Sequence, residues 1–178
     1  MLQSRATLLR KYPLGETSLI LVWCTASHGL LRTAAKGARG PKSPFAGKLD
    51  LFFEADIAWQ PARRGDLHSL REVVVESHRL GLRERYQRTL TASYFTSLIE
   101  LVAETETPIP ELNTLLNKAL DWLTDHEPSP AAVTRFEDRV AAIQGLVSSG
   151  SPGAAALLDT FHRLPPSRAS LFSALQVS

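Results

Sequence analysis

The hydrophobic pattern of this chain of 178 residues changes its period once, close to residue 80. Between Leu51 and Trp59 the residues on one face are apolar and those on the other include two acids, which is typical of a half-buried β-strand. From Leu82 onward, apolar residues recur at intervals of three and four, which is typical of amphipathic helices. The sequence therefore predicts an α+β protein, with β-structure first and helices afterwards.

Five short strands are predicted before this change. Turns containing Pro or Gly separate them, among them Tyr12–Glu16 and Pro61–Gly65. The predicted strands are Ala6–Lys11, Ser18–Thr25, Leu30–Ala35, Leu51–Trp59 and Leu67–Glu76. Five strands with one long connection are compatible with a small closed barrel of the oligonucleotide-binding type, the OB-fold, which leaves no exposed strand edge. An SH3-like barrel satisfies the same strand count.

The second part of the chain predicts an all-α domain. Its expected helical segments are Arg83–Glu104, Ile109–His126, Ala131–Leu146, Ala154–His162 and a final apolar piece, Leu171–Val177, with a loop at Ser148–Gly153. We place the domain boundary near His78–Gly81, which gives domains of residues 1–79 and 80–178.

A long basic loop follows the third predicted strand. Between Glu16 and Asp50 the chain has no acidic residue, and the loop itself is rich in Gly and Pro. The cations of this stretch are Arg32, Lys36, Arg39, Lys42 and Lys48, and Arg63 and Arg64 lie in a later turn. Such a loop on a β-scaffold favours binding to the phosphates of a polyanion, without reading base edges. The alternatives are a solvated connection without a ligand and, for Arg63 and Arg64, turn residues that only aid solubility.

The charge is unevenly distributed along the chain. Residues 1–79 carry twelve Lys and Arg against seven Asp and Glu, a net +5, whereas residues 80–178 carry eight against eleven, a net −3. This asymmetry indicates two surfaces with different roles. Stacking of bases would need exposed aromatic residues, for which Phe45, Phe52 and Tyr12 are the candidates; Phe52 is expected to pack beneath the basic loop instead.

Several other kinds of chemistry are excluded. The glycines before Lys48 have the wrong spacing for a phosphate-binding P-loop, and Leu49 stands where a magnesium-binding Ser or Thr is required. The single cysteine, Cys24, lies in an apolar run and is expected to be a buried thiol in a reducing, cytoplasmic setting. The five histidines lack metal-ligand spacing, and we expect no enzyme activity, cofactor, metal, signal peptide or membrane span. The histidines are His28, His68, His78, His126 and His162.

The segment Ala35–Ser43, AKGARGPKS, resembles the basic signature of the RecO family, bacterial recombination mediators that act with RecR and RecF. Further similarities follow in order over residues 5–125. They are Gly15-Glu16, His28-Gly29, Leu49–Phe52, Ala92-Ser93-Tyr94 and Pro110-Glu111-Leu112.

The resemblance implies an N-terminal OB-fold barrel joined to a helical domain. It implies a non-enzymatic protein of DNA repair that binds single- and double-stranded DNA, anneals strands and helps load RecA onto DNA coated by single-strand binding protein. The implied partners are RecR and the acidic C-terminal tail of single-strand binding protein. Carried over by position, the signature makes Lys36, Arg39 and Lys42 phosphate contacts, with Arg32 just before them.

The chain departs from the family pattern in three ways. Many members carry a Cys-rich zinc module, which one cysteine cannot build. The chain is shorter than typical members and its tail after Leu146 has no counterpart. Gly40 stands where another Arg is frequent. Two alternative functions therefore stay open: a protein-interaction scaffold of RecO shape without DNA binding, and a small RNA-binding barrel, because phosphate contacts do not sense the sugar.

Overall fold

A computed structural model describes residues 1–146 and 150–176. Two compact units are present: Met1–Arg79 together with Glu104–Asn113, and Leu80–Ala103 together with the chain from Thr114 onward. The domain limits that we predict, 1–79 and 80–178, stay a prediction. The expected loop at Ser148–Gly153 falls partly outside the described residues, as does Val177 of the final apolar piece.

The first unit is a closed five-stranded barrel. Its strands are β1 (Leu2–Leu14), β2 (Ser18–Thr25), β3 (Gly29–Ala35), β4 (Glu54–Gln60) and β5 (Leu67–Ser77). Around the barrel their order is β1-β2-β3-β5-β4, with β3 and β5 parallel and the other pairs antiparallel. The predicted OB-fold barrel followed by helices is confirmed.

Alternating side chains of the five strands fill the barrel. Trp23 and Trp59 are fully buried, and the Trp23 indole N–H donates to the Thr33 hydroxyl at 2.9 Å, so the polar edge of the ring has a partner. Aliphatic side chains that also face the barrel interior pack around the two rings, among them Leu8, Leu21, Leu31, Ile57 and Val73. Cys24 is buried on the other face of β2, and its burial raises the pKa of the thiol to about 11, so the expectation of a buried thiol is confirmed.

Two strands, β1 and β4, differ from the sequence prediction by three residues or more at an end, and β1 begins at Leu2 rather than at Ala6. β1 continues through Tyr12 to Leu14, so the turn is only Gly15–Thr17 and Tyr12 lies in a strand. β4 begins at Glu54 rather than Leu51, because Phe52 has a left-handed backbone (φ 71°). The Phe52 N–H donates to the Leu8 carbonyl at 2.8 Å and the Leu8 N–H to the Phe53 carbonyl at 3.0 Å, which ties this bend to β1.

Residues Glu104–Asn113 pack on the barrel at the β2–β3 turn. The Leu30 N–H donates to the Glu104 carbonyl and the Glu106 N–H returns to the Leu30 carbonyl, both at 3.1 Å. The Ile109 N–H donates to the Ala26 carbonyl at 2.9 Å. A Cβ at Gly29 would overlap the Thr107 carbonyl oxygen, so only glycine permits this approach.

The second unit is helical. A 3-10 turn at Leu80–Arg83 precedes α1 (Tyr86–Val102), and the later helices are α2 (Pro110–Asp125), α3 (Pro130–Ile143), α4 (Gly153–Phe161) and α5 (Ser167–Gln176). The first residues of α2 belong to the barrel unit. Ser129 caps α3 by accepting a hydrogen bond from the Ala132 N–H at 3.2 Å, with Pro130 in the first turn. Among the described residues, no helix has the length and apolar character needed to cross a membrane.

A buried carboxylate joins three of these helices. Glu137 of α3 is completely buried and accepts hydrogen bonds from the Tyr94 hydroxyl of α1 at 2.5 Å and from Arg168 Nε of α5 at 2.6 Å. Burial and the bond to Glu137 raise the pKa of Tyr94. Beside this group the rings of Phe95 and Phe136 stack at 3.8 Å.

Candidate nucleic-acid interface

The basic loop between β3 and β4 is a series of tight turns held against the barrel. Backbone hydrogen bonds three residues apart recur along it, for example from Gly40 N–H to the Gly37 carbonyl at 3.0 Å and from Lys48 N–H to the Phe45 carbonyl at 3.0 Å. The Phe45 side chain is buried in the barrel core and anchors the loop from within. The Arg39 N–H donates to the Thr17 carbonyl at 2.8 Å, so the loop also contacts the β1–β2 turn.

The cationic side chains of this loop point into solvent. All four are exposed, and within the residues that the structure describes they form no ion pair: Lys36, Arg39, Lys42 and Lys48. Their charge is therefore not neutralised by the protein itself. An anion with several phosphates can be bound here without first breaking ion pairs.

Arg32 differs from the loop cations. It lies on the outer face of β3, and its guanidinium binds the Asp66 carboxylate at 2.9 Å. This hydrogen bond holds the pKa of Asp66 below its ordinary value. Arg32 is thus a half-exposed cation with a carboxylate partner, and any phosphate must compete with Asp66 for it.

Arg63 and Arg64 lie in the β4–β5 connection, both exposed. This connection is held by His68, whose Nδ1 accepts a hydrogen bond from the Ala62 N–H at 3.0 Å and whose Nε2 lies 2.8 Å from Glu106 Oε1. The connection ends at Leu67, the first residue of β5, which pairs with Arg32 of β3.

Six of the seven predicted cations therefore form two groups, at opposite ends of β3. The basic loop leaves β3 at Ala35, at the end of the barrel that carries the β1–β2 turn. The β4–β5 connection lies at the opposite end, where His28 of the β2–β3 turn contacts the Trp59 ring edge-on at 5.0 Å. Arg32 lies between the groups on β3. In OB-folds the face of β2 and β3 and its flanking loops bind oligonucleotides. Here the two groups lie in flanking loops, while the outer side chains of Val22, Cys24, Leu30 and Ala34 between them are buried.

The strand register places two more residues beside Arg32: Arg10, which the sequence analysis did not single out, and Tyr12, which it named as a stacking candidate. Arg10 pairs with Val22, and Val22 with Arg32, so these three side chains form one row on the outer face. Tyr12 pairs with Ile20 in the next row. The three-residue turn at Gly15–Thr17 determines this register, and a hairpin alignment of the sequence from that turn would have placed both side chains on this face.

Two aromatic candidates for base stacking are wrong. Phe45 and Phe52 are 7% and 4% exposed: Phe45 packs in the barrel core, and Phe52 is buried at the bend before β4. Phe52 is buried as expected, and its packing beneath the basic loop stays a prediction.

A cavity of about 370 Å³ lies in the helical unit. Its apolar lining comes from side chains of α1, α2 and α3, and Trp122 in this lining is 40% exposed. The apolar members are Phe95, Leu115, Trp122 and Phe136, and the cations at its border are Lys118, Arg135 and Arg139, all exposed. An apolar cavity bordered by three cations suits a ligand with an apolar end and negative charges.

No group of three or more His, Cys, Asp or Glu side chains within 1–146 and 150–176 is arranged to hold a metal ion.

Comparison with known proteins agrees with the barrel and the helices. The family model described as Recombination protein O N terminal matches residues 1–78, and that described as Recombination protein O C terminal matches residues 83–147. The DNA repair protein RecO of a Cyanothece species is 37% identical over 123 residues, which cover 68% of this chain and 40% of that protein. The DNA repair protein RecO of Idiomarina loihiensis is 32% identical over 133 residues, which cover 75% of this chain and 56% of that protein.

The chain therefore spans about half the length of these curated relatives. The two family models together extend over most of the chain, in the order that the barrel and the helices follow. On these matches, the chain belongs to the RecO family.

Proposed function

We propose that this chain is a non-enzymatic DNA-binding protein of recombinational repair, which binds single- and double-stranded DNA through its barrel without sequence specificity. The observation that carries the proposal is the set of four exposed loop cations without ion pairs among the described residues. Long cationic side chains bind phosphates and carry no base information, so the binding is independent of sequence.

The proposed DNA track crosses the outer face of the barrel. The basic loop lies at one end of β3 and the Arg63-Arg64 connection at the other, with Arg32 between them. Between the two groups a DNA strand would meet Arg32, whereas Val22, Cys24, Leu30 and Ala34 of the same outer face are buried, so the proposed contacts are with the two loops and Arg32. Annealing of complementary strands and loading of RecA would follow from holding DNA in this way, together with RecR, in the cytoplasm.

The cavity of the helical unit is the proposed docking site for the acidic C-terminal tail of single-strand binding protein. Lys118, Arg135 and Arg139 match the negative charge of such a tail, and the aromatic wall accepts an apolar end. The chain would thereby reach DNA that single-strand binding protein already covers.

Two triple variants test the proposal and control for each other, because each removes three exposed cations. Lys36→Ala/Arg39→Ala/Lys42→Ala should weaken binding of a fluorescein-labelled single-stranded oligonucleotide at low salt by about 100-fold. Lys118→Ala/Arg135→Ala/Arg139→Ala should leave this affinity close to wild type and weaken binding of a labelled tail peptide instead. Fluorescence anisotropy measures both ligands.

Each alternative function has its own outcome in this experiment. Failure of the wild-type protein to bind the oligonucleotide at low salt would contradict DNA binding and support the scaffold. Tighter binding of an RNA of equal length would support the RNA-binding barrel. Equal losses of DNA affinity in the two triple variants would show that total charge, rather than the basic loop, governs binding.

A further inference from the structure

Tyr12 is the exposed aromatic residue of the barrel unit. The structure describes all residues of this unit, and its other Phe, Tyr and Trp side chains are at most 7% exposed, whereas Tyr12 is 39% exposed. The buried ones are Trp23, Phe45, Phe52, Phe53 and Trp59. A base that stacks on the barrel through an aromatic ring therefore has one ring to use.

The position of Tyr12 places this ring beside the phosphate-binding loop. Tyr12 lies two residues before Leu14, which pairs with Ser18 at the start of β2. The Ser18 hydroxyl accepts a hydrogen bond from the Gly37 N–H at 3.2 Å, and Thr17 accepts one from Arg39. The loop is thus attached to the hairpin about 7 Å along the strand from Tyr12, given a rise of about 3.4 Å per residue.

One face of the Tyr12 ring has a cation over it. The guanidinium carbon of Arg10, on the same face of β1, lies 5.9 Å from the ring centroid. This cation–π contact occupies one face of the ring, so a base would stack on the other face of this 39% exposed side chain. Its neighbour across the hairpin is Ile20, whose partly buried side chain adds an apolar border.

We propose that Tyr12 is a nucleobase-stacking residue that gives the barrel a preference for unpaired strands. The inference rests on the proposed DNA-binding function and assigns to it a discriminating residue. Phosphate contacts act on single and double strands alike, whereas a base must leave its helical stack before it can lie on a protein ring. Tyr12 would therefore contribute to the affinity for single strands only.

The test compares Tyr12→Ala, Tyr12→Phe and Tyr86→Ala. Tyr86 is the matched control, because it is an exposed tyrosine (70%) in the helical unit. Tyr12→Ala should lower the affinity for a single-stranded oligonucleotide by about 5- to 100-fold, whereas the phenylalanine variant and Tyr86→Ala should bind like wild type. Neither duplex DNA nor an oligonucleotide of abasic sugar-phosphate units should distinguish Tyr12→Ala from wild type.

A second measurement detects the contact directly. Ultraviolet irradiation of the wild-type complex with a 5-iodouracil oligonucleotide, followed by mass spectrometry, should place the crosslink on Tyr12. Circular dichroism should show that Tyr12→Ala is folded, since the side chain lies outside the barrel core.

The possible outcomes distinguish failure of the stacking role of Tyr12 from failure of the proposed DNA-binding function. Wild-type affinity of Tyr12→Ala for single strands would overturn the stacking role and leave DNA binding by the loop intact. An equal loss on the abasic oligonucleotide would also overturn it, because the effect would then not involve a base. Absence of oligonucleotide binding by the wild-type protein would overturn both.

Discussion

Tyr12 and Phe45 are both aromatic residues close to cations in the sequence, but their environments differ completely. Phe45 is buried in the barrel core, and Tyr12 lies on the outer face of β1. The sequence alone makes both rings candidates for base stacking, since each lies in or beside a segment that contains Gly or Pro. Their exposure depends on which side of a strand or loop faces the core, which in turn depends on a register and on a loop course determined by distant contacts.

Gly29 is a residue whose role is also determined at a distance. It has φ +60° at the start of β3, and a Cβ there would overlap the carbonyl oxygens of Thr107 and Glu104. The resemblance to the RecO family at His28-Gly29 already singled out this glycine in the sequence analysis. The reason for glycine became visible only with residues 104–107 packed against it.

Gly29→Ala should destabilise the protein by clearly more than Gly15→Ala. Gly15 has nearly the same backbone conformation, φ +61°, but a methyl group added there would have nothing within 4 Å. We expect a loss of about 1–2 kcal/mol at Gly15 from the left-handed conformation alone and a loss of at least about 3 kcal/mol at Gly29. Urea denaturation of both variants measures the difference, and equal losses would contradict a role for the close approach.

At the scale of elements, hydrophobic periodicity correctly predicted the strands in which each face stays in the same surroundings along the whole strand. β2 (Ser18–Thr25) is found as predicted, and β3 and β5 differ by a residue or so at an end. The errors lie where tertiary contacts outweigh the pattern. The alternation from Leu51 predicted three more residues of β4, but the bend at Phe52 is hydrogen-bonded to Leu8 and replaces them.

The final helix shows the same limit. Apolar residues from Leu171 indicated only its second half, whereas α5 begins at Ser167 and includes Arg168. Arg168 lies on Phe172, 4.4 Å from the ring centroid, while binding Glu137. A hydrophobic pattern cannot predict a polar first turn such as this one. The partner of Arg168, Glu137, is 31 residues away in the sequence.

Arg168→Ala should destabilise the helical unit by about 3–5 kcal/mol, because it leaves the buried Glu137 carboxylate without its cation. Adding Glu137→Gln should recover part of this loss, since an uncharged amide costs less to bury. Thermal unfolding followed by circular dichroism compares the single and double variants. A double variant that is less stable than Arg168→Ala would argue against an unpaired charge as the cause.

At the scale of the whole molecule, the net charge of +2 understates the cationic surface. Many cations of the described residues bind acids, as Arg5, Lys11, Arg79 and Arg88 do. The four cations of the basic loop and the three at the cavity border are exposed without such partners in the described parts of the chain. The first group was predicted from composition, whereas the second was not, because its members come from α2 and α3 and meet only in the folded unit.

The salt dependence of DNA binding should report the number of loop cations in contact. Each phosphate contact on a single strand contributes about −0.7 to the slope of log K against log salt, so removal of three loop cations should make the slope less negative by about 2. Anisotropy titrations across a range of NaCl concentrations measure both slopes. A slope unchanged in Lys36→Ala/Arg39→Ala/Lys42→Ala would place the phosphates elsewhere.

The barrel unit is completed by residues that come after α1 in the chain. Glu104, Glu106 and Ile109 provide backbone partners for Leu30 and Ala26. When only the five strands have left the ribosome, these partners have not yet been synthesised. The hydrogen bonds at the β2–β3 turn can therefore form only after α1 and the segment that follows it have been made. Vectorial synthesis therefore interleaves the maturation of the two units.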